Sequence, residues 1–86
     1  MNKVLIKLCV PMIDEQYDIW IPVNKRIHKI IMLLVKAVNE LTKGYYSPKE
    51  MPYLYDKITA EVLDINLKVI DTHIRNGTEL IMILFN

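Results

Sequence analysis

Residues 3–10 alternate strictly, with Val4, Ile6, Leu8 and Val10 on one side and Leu5, Lys7 and Cys9 on the other. The same two-residue period returns at Tyr17, Ile19 and Ile21 against Asp18 and Trp20, and a nearly all-apolar segment runs from Glu79 to Phe85. That period belongs to a strand, because successive side chains leave a pleated backbone on opposite faces. Between these segments the spacing changes. Ile27, Ile30, Ile31, Leu34, Val38 and Leu41 project as one stripe when residues advance by 100° each, with Lys25, Lys29, Lys36, Glu40 and Lys43 opposite. An amphipathic helix and several strands with one apolar face each can bury those faces only against one another, which predicts a single sheet wrapped on a single helix.

Local signals place the boundaries. Asp14, Glu15 and Gln16 form a polar interval that turns the first strand into a hairpin, and Pro22 closes it because proline cannot donate to a continuing ladder. Asn24 is the expected N-cap of the helix, and Gly44 supplies a left-handed stop, giving about 19 residues and roughly 28 Å. A loop from Tyr45 to Pro52 leads to a short third strand at Tyr53, Leu54 and Tyr55. Residues 56–76 have no clean period; the expectation is a turn, a brief strand near Val62 and an irregular connection whose apolar residues plug the open end of the core. Asn76 and Gly77 make a turn pair, so the last strand follows and runs mid-sheet, parallel to the first through a crossover. Residues 1–86 read as one α+β domain, a mixed sheet of four or five strands on one long helix, which is the arrangement of the ubiquitin-like β-grasp.

Composition narrows the function. Hydrophobic residues make up 52% of a chain of only 86 residues, a rich share for so small an interior, so some apolar surface is expected to meet a protein partner or form a homodimer. A net charge of +1, from 11 basic and 10 acidic residues, provides no field to gather phosphates, and nucleic-acid binding is disfavoured. Cys9 is the single cysteine and lies in an alternating apolar segment, where it acts as a small hydrophobe suited to a reducing cytoplasm. The apolar start is broken by Lys7 and lacks the features of a secretory signal. The longest apolar run, Ile30 to Val35, is far short of the roughly 20 residues that a bilayer requires. A soluble, cytoplasmic domain with no direct membrane insertion is expected.

The C-terminal third carries a resemblance. A segment from Leu67 to Asp71, then Ile74-Arg75-Asn76-Gly77-Thr78-Glu79-Leu80, then an apolar terminus, is similar to the small ubiquitin-like proteins of bacterial type VII (ESX-like) secretion loci, the YukD and EsaB type. The resemblance implies an accessory or regulatory role at the cytoplasmic side of a secretion machine, with a membrane-associated secretion component as partner that recruits the domain to the inner face of the membrane. This chain departs from that pattern in its longer helix and its longer loop from Gly44 to Pro52.

Catalytic chemistry finds little support in the residues. Ubiquitin and sulfur carriers react through a flexible Gly-Gly tail, whereas this sequence stops at Leu84-Phe85-Asn86 and has only Gly44 and Gly77, which disfavours conjugation and sulfur transfer. His28, His73 and Cys9 lie in different elements and form no ligand motif, so no metal and no cofactor are expected. Ser47 sits in a proline-flanked loop with no histidine nearby, and Asp14 with Glu15, like Asp64 with Asp71, read as solvated turn carboxylates. The chain is expected not to be an enzyme.

Strand alternation puts Leu5, Trp20, Ile81 and Ile83 on the sheet face away from the helix, an apolar patch suited to docking or homodimerisation. Lys25, Lys29, Lys36 and Lys43 on the outer helix face form a second surface, flanked by Met32 and Leu33, that reads first as solvated and second as a site for an acidic partner. A ubiquitin-like carrier of sulfur or a tag and a self-associating structural protein remain as alternatives.

Overall fold

A computed structural model describes residues 2–84. Strand β1 (Lys3–Val10) and strand β2 (Glu15–Pro22) form an antiparallel hairpin joined by a 3-10 turn at Pro11–Ile13. Helix α1 (Ile27–Leu41) follows, then strand β3 (Tyr53–Asp56), a second 3-10 turn at Val69–Asp71, and strand β4 (Glu79–Ile83). The sheet order is β2-β1-β4-β3, with β1 and β4 parallel and the other pairs antiparallel. This is the α+β ubiquitin-like β-grasp: a four-stranded mixed sheet with one helix. Phe85 and Asn86, expected to complete the last strand and the terminus, lie outside the described residues.

The core forms where the two periods meet. Ile27, Ile30, Ile31, Leu34 and Val38 are buried along α1, against Ile6, Leu8 and Val10 of β1, Ile21 of β2, Leu54 of β3, and Leu80 and Met82 of β4. Each such side chain contributes about 1.5–3 kcal/mol by leaving water. Leu41, expected to complete the stripe, is instead exposed.

Both ends of the helix differ from the expectation. It begins at Ile27, not at Asn24, and no side chain caps it. The amides of Ile27 and His28 donate to the carbonyls of Leu67 (2.8 Å) and Ile65 (3.1 Å), so the distant 65–67 segment does the work assigned to Asn24. At the other end the amide of Gly44 bonds the carbonyl of Asn39 (2.8 Å) and that of Lys43 bonds Glu40 (3.2 Å), the pairing of a Schellman motif. In that motif the left-handed position is Lys43, with φ of 54°, and Gly44 follows with φ of +88°. The helix is therefore 15 residues long, shorter than predicted.

The segment after the helix is tied down by side chains. Thr42 Oγ1 donates to the carbonyl of Val38 (2.8 Å) and accepts from the amide of Tyr46 (2.9 Å), while Asn39 Nδ2 donates to the carbonyl of Tyr46 (2.9 Å). These bonds seat Tyr46 in the core at 2% exposure, and burial pushes its phenol above the ordinary pKa.

The connection from β3 to β4 plugs the core only in part. Leu63, Val69 and Ile74 are buried, but Ile58, Val62, Ile65, Leu67 and Ile70 stay exposed, against the expectation that they would fill the open end. The brief strand near Val62 is a single bridge to Tyr55. With the bonds Asp56 N to Glu61 O and Leu63 N to Leu54 O, it shields the outer edge of β3. The other edge strand, β2, carries Asp18 and a terminal Pro22, which discourage a further strand from adding.

Candidate functional site

Register decides what the outer sheet face presents. Leu5 lies opposite Trp20, Lys7 opposite both Asp18 and Glu79, Cys9 opposite Gln16 and Ile81, Ile81 also opposite Tyr55, and Ile83 opposite Tyr53. All of these side chains project away from α1, because Ile6, Leu8, Leu80, Met82 and Leu54 between them are buried on the helix side.

All four residues expected on the outer face therefore share it, but they do not form one patch. Leu5 and Trp20 are cross-strand neighbours at one end; Ile81 and Ile83 are at the other, beside Cys9, Tyr55 and Tyr53. Between them runs a charged row of Asp18, Lys7 and Glu79, extended by Lys57, whose Nζ is 3.6 Å from Glu79 Oε1. Opposite charges set directly across a sheet attract by roughly 0.2–1 kcal/mol per pair. They also place hydrated groups in the middle of an otherwise apolar face.

Trp20 is 54% exposed, with no helix over it. The loop of residues 44–52 does not cover it either; that loop borders Met32, Val35 and Asn39 of α1 on one side and Met12 and Leu84 on the other. Tyr53 and Tyr55 extend the far end of the face and were not singled out by the sequence reading, although their alternation with Leu54 carries the signal.

The Leu5 end is held by the Asn-Gly turn. The amide of Leu5 donates to Asn76 Oδ1 (2.8 Å), the amide of Gly77 donates to the Leu5 carbonyl (2.8 Å), and the amide of Lys7 donates to the Thr78 carbonyl (3.0 Å). Asn76 thus continues the β1–β4 ladder with a side chain where the backbone has already turned, and Gly77 supplies the left-handed φ of +89° that the turn requires.

The second surface keeps three of its four lysines together. Lys25, Lys29 and Lys36 line a groove of about 450 Å³ floored by Met32 and Leu33, whereas Lys43 belongs to the helix stop.

A carboxylate–imidazole pair was not anticipated from the sequence. Asp56 ends β3 on the helix side of the sheet at 3% exposure, and its Oδ1 accepts the amides of Ile58 (2.8 Å) and Thr59 (3.0 Å). Its Oδ2 lies 2.7 Å from His73 Nε2, so Nε2 carries the proton when the carboxylate is ionised. The Thr59 amide, aided by His73 and the Ile58 amide, holds the Asp56 carboxyl below its ordinary pKa despite the opposing effect of burial. The pair staples the long connection to β3. Among the described residues, no three His, Cys, Asp or Glu side chains converge as a metal site would require.

The fold and its bare sheet face define a ubiquitin-like domain. Solved structures sharpen the likeness. The ubiquitin-like domain of the Mycobacterium tuberculosis type VII secretion protein EccD1 superposes with a TM-score of 0.76 at 11% identity, covering 98% of this chain and 100% of that one. The EccD5 ubiquitin-like domain from Mycobacterium xenopi gives 0.76 at 18% identity, covering 100% and 99%. A chain of the MycP5-free ESX-5 inner membrane complex gives 0.76 at 17% identity; the match covers 95% of this chain but spans only 21% of that one. The fold also matches a chain of a toluene 4-monooxygenase complex, with a TM-score of 0.74 at 6% identity, covering 93% of this chain and 95% of that one. Likeness at such identities shows the fold, which hosts unrelated functions. No protein-family model and no curated protein matches the chain in sequence. Among the described residues, no helix is long and apolar enough to cross a membrane.

Proposed function

We propose that this chain is a non-catalytic interaction domain of a type VII-like secretion machine, docking through its outer sheet face onto a protein component at the cytoplasmic side of the membrane. Trp20 carries the reading: a large aromatic, half exposed beside Leu5 on a face that no element among the described residues covers, next to a charged row that can fix the orientation of a partner. Tryptophan at such a position supplies broad apolar contact at little cost in conformational entropy, and buried aromatics with a polar rim dominate binding energy in protein interfaces. The likeness to EccD ubiquitin-like domains and to part of an ESX-5 membrane complex supports the setting. In this reading the domain reaches the membrane through its partner.

The test is direct titration of the purified chain against the cytoplasmic region of a type VII secretion ATPase. Trp20→Ala should keep the wild-type circular dichroism spectrum and weaken binding by about 30-fold, the effect of losing roughly 2 kcal/mol at a hot spot. Unchanged affinity, or a variant that has unfolded, refutes the assignment of this face.

A further inference from the structure

Two grooves outside the docking face have opposite charge and similar floors. The first, on the outer side of α1, is rimmed by Lys25, Lys29 and Lys36 over Met32 and Leu33, which are 50% and 47% exposed. The second, of about 300 Å³, lies in the long connection, where Glu61, Asp64 and Asp71 surround Val62 and Leu67, and His73, already held by Asp56, lines one side. Both apolar floors reach solvent in the isolated chain. Among the described residues the salt bridges join Lys57 to Glu79 and Asp56 to His73, so these lysines and carboxylates have no ion partner among those residues.

The grooves also adjoin. The amide of Val69 bonds the Lys25 carbonyl (3.0 Å) and the amide of Ile27 bonds the Leu67 carbonyl (2.8 Å), so the acidic groove begins where the basic helix face starts. Neither groove can pair with its own copy, since like charges would oppose each other. Adjoining patches of opposite sign do allow a two-fold arrangement in which each basic face meets the other copy's acidic groove, and the contact is made twice.

We infer that a second copy of this chain is the occupant of both grooves. The pair is a reciprocal dimer: Lys29 and Lys36 of each protomer meet Glu61 and Asp71 of the other, with Val62 and Leu67 set on Met32 and Leu33. The outer sheet face takes no part, so the dimer presents two docking faces. The inference is independent of the reading of Trp20.

Light scattering on the purified chain tests it. At about 10 mM ionic strength, where charges act over roughly 30 Å, the wild type should have twice the monomer mass; at about 1 M, where the range falls to roughly 3 Å, it should dissociate. K29E/K36E and E61K/D71K should each be monomeric alone, because one groove now repels its target. Mixed in equal amounts they should form a heterodimer, since the acidic helix of the first fits the basic groove of the second and the basic helix of the second fits the acidic groove of the first. Trp20→Ala should dimerise like the wild type, which separates this interface from the docking face. A wild type that is monomeric at both ionic strengths overturns the inference, as does a reversed variant that dimerises alone, or a folded mixture that stays monomeric. If a reversal unfolds the chain, the neutral K29Q/K36Q takes its place and has to weaken dimerisation at low salt at least tenfold; unaltered affinity refutes the interface.

Discussion

Residues 3–41 and residues 42–78 are held together by different physics. In the first region β1, β2 and α1 repeat a period, and the apolar residues in the inner half of that period land in the core or pack against it, with Leu41 at the end of α1 the exception. In the second region β3 is four residues long, and the path is set by individual side chains bonding backbone: Thr42 and Asn39 to Tyr46, Asp56 to Ile58 and Thr59, Asp64 to Asn66, Asn76 to Leu5. Periodic burial is redundant and tolerant of small changes, whereas a side chain that satisfies a particular amide has no substitute within the protein. The first region should therefore lose stability in proportion to buried volume, and the second in proportion to the donors left unpaired.

The largest effect should come from the first region. Leu34→Ala, at the centre of the α1 stripe, should lower unfolding free energy by about 2–5 kcal/mol in urea titration, through lost transfer energy and a residual cavity. A loss below about 1 kcal/mol would mean that the helix is not the element over which the sheet closes.

Asp56→Ala should come next, at about 1–3 kcal/mol, because it leaves two turn amides unpaired and removes the partner of His73. Acid titration sharpens the point. The folded-state carboxyl is held below its ordinary value near 3.8, so its contribution is complete above that value and is lost as pH falls through the lower folded value. The wild type should lose this part of its stability between about pH 4 and the acid limit, and the Asp56→Ala variant, already lacking it, should show a shallower fall over the same range. Parallel acid curves for the two proteins would count against the pair as a staple.

Asn76→Ala should cost about 1 kcal/mol, since the Leu5 amide it leaves is near enough to solvent for water to replace part of the bond. Faster amide exchange at Leu5 specifically, read by NMR, identifies that bond as the cause.

The smallest effect has the opposite sign. Lys43→Gly should raise stability by about 0.5–1 kcal/mol, a shift of roughly 4–8 °C per kcal/mol for a domain of this size, because Lys43 now occupies the left-handed position of the helix stop. A decrease would show that the Lys43 side chain contributes more than its backbone strain removes.

The same contrast explains what the sequence made legible. The hairpin, the helix stripe, the mid-sheet last strand and the side on which Leu5, Trp20, Ile81 and Ile83 face were readable because each follows from a local period. The division of that face by Asp18, Lys7 and Glu79 was not, since it depends on which residue of one strand lies opposite which residue of another. The exposed Ile58, Val62 and Ile70 misled for a related reason: without a period, composition alone does not say which apolar residues turn inward.

From its own residues, then, this chain determines two alternating strands near its N-terminus, one amphipathic helix and an apolar final strand, because each pattern repeats within a few residues and needs no distant partner to be recognised. The tertiary structure alone decided that α1 starts on carbonyls of residues 65 and 67, that Asp56 finds His73 17 positions away and that Leu5 borrows Asn76 from 71 positions away. A hydrogen bond of this kind is a property of two segments brought within about 3 Å, and no pattern within either segment encodes the other.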